Sequence, residues 1–270
     1  MTTRIGSGAC IGLVAAAFGL SIGAPRAESA GAMRAGEGVI ILAQHDHGGG
    51  SADEAKPELA PNVEFALWIA QTRGHLLIGN DLVKQGEWKA AYPHFQHPIE
   101  ELYGVLKPRL ADYQVPPFED QLKALANAVK ARKIADYDVA SKTVADALAK
   151  ADAGLKAKEA DWDRFMLRAA IETLKSSIEE YAGAIDKGRI DKPVEYQDAR
   201  GFIWQSERMI ESVAPVLEKK NADALKDVRV GYAELKKIFP TAVPPRKPIK
   251  DHAAMIRDVE RIVAAAGPLM

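Results

Sequence analysis

The sequence predicts an all-α protein, duplicated antiparallel four-helix bundles after a cleaved signal peptide. Three observations lead there. Apolar residues recur at the three-to-four spacing of a helix face through most of the chain beyond residue 63, no stretch alternates in the manner of a half-buried strand, and the second half repeats the order of the first. With 47% hydrophobic and 27% charged residues among 270, there is apolar material for one large core or two small ones.

The leader comes first. Met1 to Arg4 is a short basic start and Ile5 to Ala24 an uncharged run of small and apolar residues, the pattern of a secretory signal peptide over 1–32. Small residues at Ala27, Ser29, Ala30 and Ala32 suit cleavage, and Val39 to Ala43 offers a later end at 43. The expectation is therefore a periplasmic or secreted protein with no membrane contact beyond its export signal. The single cysteine, Cys10, lies in the leader, with Ser7 where a lipoprotein would carry a branched apolar residue. A mature chain without thiols excludes disulfides, cysteine-ligated zinc, iron–sulfur clusters and a thiol nucleophile.

Residues 44–62, with Gly48, Gly49, Gly50, Pro57 and Pro61, read as a flexible lead-in. The first bundle is expected over 63–158. Phe65, Trp68, Leu76, Leu82 and Val83 give a first helix of about six turns, stopped by Gly86. A second segment over 87–113 is interrupted at Pro93 and Pro98, since proline removes a donor and crowds the preceding turn. Helices over 118–132 and 135–158 follow, the first on a stripe of Leu122, Leu125, Ala126 and Val129 and the second rich in alanine.

The second bundle, 161–266, repeats this plan. Leu167 to Gly188 mirrors Phe65 to Gly86 at a constant offset of 102 residues, and Pro193 opens the next helix much as Pro98 does in the first half. Helices over 222–239 and 249–266 complete a set of four, and short connections favour antiparallel packing. No strand is expected.

Charge points to no macromolecular partner of one sign: 36 Lys and Arg stand against 37 Asp and Glu, which gives no field to recruit nucleic acid. No serine elbow, phosphate loop, dinucleotide fingerprint or His-Glu-x-x-His occurs, and the paired Glu-x-x-His of di-iron bundles is absent, so nothing supports an enzyme. Trp68, Trp88, Trp162 and Trp204 lie among apolar neighbours and read as packing residues.

Histidines carry the chemical signal. His75, His94 and His97 fall in the first bundle, and imidazole with carboxylate suits iron, copper or zinc. An antiparallel neighbour joined at Gly86 brings His97 back to the level of His75, with His94 one turn before it and Glu101 one turn after. The expected metal set is His75, His94, His97 and Glu101, with iron or copper as the ion. The structural alternative makes His97 the residue before a helix that Pro98 begins, with Glu100 and Glu101 at its positive end. A second, conditional site requires cleavage to expose His45: its amine, two backbone nitrogens and the His47 imidazole form the square-planar set that Cu(II) favours.

The segment in which Gln85-Gly86-Glu87 precedes Tyr92-Pro93-His94-Phe95 and then Ile99-Glu100, in an exported helical chain with duplicated bundles, resembles the imelysin and EfeO-type periplasmic families associated with iron uptake. In place of their glycine, histidine and glutamate signature, His97 is followed by Pro98 and then Glu100-Glu101. The resemblance implies a periplasmic protein connected with metal handling. Two functions stand on the residues: a metal-binding or metal-delivery accessory protein, and a non-catalytic helical scaffold that docks a periplasmic protein partner.

Overall fold

The structure, a computed structural model, describes residues 58–270; the expected signal peptide with its expected cleavage region, most of the expected lead-in and His45 and His47 lie outside the described residues. Helix α1 (Pro61–Lys84) opens with proline at its first position, carries Glu64 in its first turn and Lys84 in its last, and ends on Gly86 at φ 80°. Six consecutive residues, Gly74 to Gly79, are buried. A helix with one apolar face cannot achieve this, so α1 is surrounded by other helices.

Helix α2 (Trp88–His97) continues past Pro93. Pro98 does not end it. The chain widens instead into a π-helical turn, Pro98–Leu102, and continues as α3 (Tyr103–Leu106) and a 3-10 turn, Lys107–Tyr113. The expectation that His97 stands outside a helix begun by Pro98 is corrected: His97 has helical angles, φ −51° and ψ −42°. The wider turn accommodates the proline ring and its missing donor without breaking the helix. Helices α4 (Glu119–Ala131) and α5 (Ile134–Lys156) form a hairpin whose turn places Arg132 at φ 55°.

The second half contains α6 (Trp162–Ala184), α7 (Pro193–Lys236) and α8 (His252–Ala266). Two of them start on an aspartate: Asp161 accepts from the Arg164 amide and Asp251 from the Ala254 amide. Helix α7 is two arms, 193–220 and 222–236, because Asn221 leaves helical geometry and its side chain accepts from the Ala224 amide, capping the second arm. The expectation of no strand is also corrected. Ile185–Asp186 and Arg189–Ile190 pair as a minimal antiparallel hairpin, β1 and β2, across Lys187 and Gly188, both at positive φ.

The helical segments follow in the order α1, α2 with α3, α4 and α5, then α6, the two arms of α7, and α8. The halves share one hydrophobic core, within which α7 packs on α1 as well as on α6 and α8. The four tryptophans pack against that core from its edge. Among the described residues no helix is long and apolar enough to cross a membrane.

Candidate metal centre

Two glycines on α1 admit its neighbours. A Cβ on Gly201 of α7 would lie 2.4 Å from the Gly74 carbonyl oxygen, and a Cβ on Gly79 would lie 2.7 Å from the Phe95 ring of α2. Helix α7 therefore crosses α1 backbone to backbone, while α2 closes on α1 through Phe95. His75 lies beside the first glycine, His94 beside Phe95, and Asp198 one turn before Gly201. Close packing on two sides of α1 brings these three together.

Asp198 occupies the centre. Its Oδ1 lies 2.7 Å from His75 Nδ1 and 2.8 Å from His94 Nδ1, and its Oδ2 lies 3.1 Å from His97 Nδ1. One donor atom from each of the four residues falls within 4.8 Å of the others. A tetrahedral ion with bonds of ~2.1 Å needs edges of roughly 3.4 Å, so the short imidazole–carboxylate contacts would open and the wider separations close by modest amounts. His75, His94 and Asp198 are each at most 2% exposed. The His97 side chain retains 17% exposure and marks the open side.

Gln197 settles one proton. Its Nε2 donates to the Ala242 carbonyl at 3.1 Å, which turns its Oε1 toward His94 Nε2 at 2.9 Å. His94 must therefore donate from Nε2, leaving Nδ1, the atom that faces Asp198, as the nitrogen an ion would take on displacing a proton. The support comes from the same helix as the central carboxylate.

The electrostatics follow from this crowding. Burial pushes the Asp198 carboxyl up, but the facing His75 and His94 outweigh it and hold the group well below its ordinary value. Burial pulls His97 down, yet the hydrogen bond and charge of Asp198, with Glu101 and Glu180 behind, raise it to about 9. Glu180 of α6, half-buried, is pushed up to about 9 by burial first and then by Asp198 and Glu101. The exposed side of the centre is therefore acidic, and a cation arriving there would displace protons rather than other ions.

The three histidines of the sequence-derived set meet in space. Glu101, the fourth, lies 3.8 Å from His97 Nε2 on the open side, outside the group of four. The carboxylate among the imidazoles is Asp198, from the half in which no matching site was expected. A long interval in sequence concealed it, and its one local signal was a Gln-Asp pair on the same helical face as Gly201, Phe202 and Gln205. The π-helical turn directly after His97 is the local backbone irregularity at the centre.

No curated protein and no solved structure shows a significant match to the chain. Residues 156–270 match the family model of the iron permease-associated 4-helix bundle domain, a stretch that contains α6, α7, α8 and with them Asp198 and Gln197.

Proposed function

We propose that the protein is an exported, periplasmic metal-binding accessory protein of iron uptake, which takes its cargo ion between the two halves of the chain on His75, His94, His97 and Asp198. The observation that carries this reading is the convergence of three imidazoles on one buried carboxylate, with Gln197 holding one imidazole in the tautomer an ion needs. A structural ion pair would not call for three histidines on a single aspartate, whereas a nitrogen-rich set with one carboxylate suits a divalent transition ion. The family match over 156–270 and the resemblance of the first half to imelysin and EfeO-type proteins favour iron among those ions. Delivery is supported by the open side at His97, where Glu101 and Glu180 stand between the centre and solvent. The nitrogen donors would also hold Cu(II), which binds such sets more tightly than Fe(II) at equal supply.

The reading is tested on protein purified without an affinity tag and titrated anaerobically with Fe(II). One ion per chain is expected, with histidine nitrogen in its coordination sphere by X-ray absorption. Absence of saturable binding of Fe(II), Cu(II) and Zn(II) alike would leave the four residues as a buried ion-pair network and favour the scaffold.

A further inference from the structure

The crossing of α1 on α7 has a second side. Arg73 and His75 flank Gly74, and only His75 turns to the metal centre; Arg73 turns to a cleft of about 270 Å³ between α1, α4, α5 and α7. Two turns beyond Asp198, Gln205 lines the same cleft.

The polar side chains of this cleft have donor capacity to spare. Gln205 is 94% buried, and its amide makes no hydrogen bond among the described residues. Ser141 Oγ is buried beside the Tyr137 hydroxyl and has no partner at full hydrogen-bond geometry among them. Asn80 uses its oxygen to accept from the Tyr137 hydroxyl at 2.6 Å, which leaves its amide nitrogen to donate. Arg208, exposed at the rim, forms no ion pair among the described residues, while Arg73 is already held by Asp152. No acidic residue lines the cleft, and its walls are apolar, Leu76 and Leu125 among them. A buried hydroxyl short of partners beside a buried glutamine and a half-buried asparagine with donors to spare, under an exposed arginine, is an arrangement that an occupant of the cleft would satisfy.

We propose that this cleft binds a small carboxylate with an apolar body, its anionic head taken by Arg208, Gln205, Asn80 and Ser141 and its body laid against Leu76 and Leu125. The head is assigned as an anion because Gln205, Asn80 and Ser141 can all donate to it, no acidic residue lines the cleft and the rim is cationic. The volume limits the ligand to roughly ten heavy atoms, since pockets for drug-sized ligands begin at about 300 Å³. This site lies on the face of α1 opposite His75 and does not depend on the metal reading.

The test uses the purified protein with methyl-labelled leucine, without added metal, titrated with 3-phenylpropionate and with its uncharged amide. Saturable shifts of the Leu76 and Leu125 methyls by the acid are expected, with the amide at least about tenfold weaker. Arg208→Ala, on an exposed residue and safe for folding, should weaken the acid at least about tenfold, and Ser141→Ala by a smaller factor. Equal binding of acid and amide, no saturation by either, or undiminished acid binding in Arg208→Ala would overturn the proposal. Loss of metal binding in the histidine variants leaves this titration unchanged, so the two sites fail separately.

Discussion

The α1–α7 crossing and the α4–α5 hairpin are both helix pairs in one core, yet they bury opposite kinds of side chain. The hairpin buries Leu122, Leu125, Val129, Val144 and Leu148 and leaves Ile134 and Val139 exposed. The crossing meets on glycines and buries His75, His94, Gln197, Asp198 and Gln205 around them. Apolar helix pairs are stabilised by the area they remove from water, whereas a buried polar cluster costs desolvation that its internal bonds only partly return. A fold that needed only stability would place leucines at the crossing. That difference is why the metal site is proposed at the crossing.

The comparison breaks most directly at Asp198. Asp198→Asn should lower Fe(II) affinity at least ~100-fold, beyond the loss typical of a supporting residue, and Asp198→Ala should also lower stability by about 3 kcal/mol, because it strands buried imidazoles without their carboxylate. Anaerobic calorimetry and urea unfolding measure the two effects. Retained affinity in both variants would make the crossing a structural ion pair.

The hairpin should respond in the opposite way. Leu122→Ala removes a side chain that is 1% exposed and should cost ~2–4 kcal/mol in unfolding free energy, with Fe(II) affinity unchanged in the folded fraction. If this variant also weakened the metal, the two regions would not be separable.

Gln197 sharpens the distinction. Gln197→Met keeps the volume but frees His94 to place its proton on either nitrogen, so metal affinity should fall about 10- to 100-fold with little effect on the helical circular dichroism. Nitrogen-detected NMR of His94 reads the proton itself: one on Nε2 in the parent is expected, and an unprotonated Nε2 would contradict the assignment.

The smallest effect is in pH. His97 and Glu180 are both raised to about 9 in the folded chain, from 6.5 and 4.5. A raised value means that the folded state holds a proton the unfolded chain has released, so the contribution of His97 is complete below 6.5 and lost as pH climbs through about 9, and Glu180 loses stability in the same direction from 4.5 upward. Asp198, depressed below 3.8, contributes above that value and loses its contribution only as pH falls through its lower folded value. The melting temperature of the metal-free protein should therefore decline by a few degrees between pH 6.5 and 9, and Glu180→Gln should flatten part of that decline. A melting temperature that rises over this interval would contradict the assigned shifts.

The legible and illegible parts of the centre divide along the same line. His75, His94 and His97 could be grouped because they lie on two consecutive helices joined at Gly86, where antiparallel packing alone sets their levels. Asp198 could not, because its neighbour in space lies 123 residues away and its place depends on which face of α7 meets α1. His97 was misplaced relative to its helix because Pro98 has two local solutions, a helix start or a π-helical turn, and packing chose the second.

What the sequence by itself determined is the periodic part: the helical class and the approximate ends of the helices at Gly86, Pro193 and the Pro240–Pro248 loop, since each rests on local propensity and spacing. The tertiary structure alone decided that the halves share one core, that α1 lies at its centre, and that the carboxylate among the histidines comes from the second half. The physical reason is close approach. At Gly74 and Gly201 two backbones touch, and no periodicity along one helix records which other helix will fill the space a missing side chain leaves.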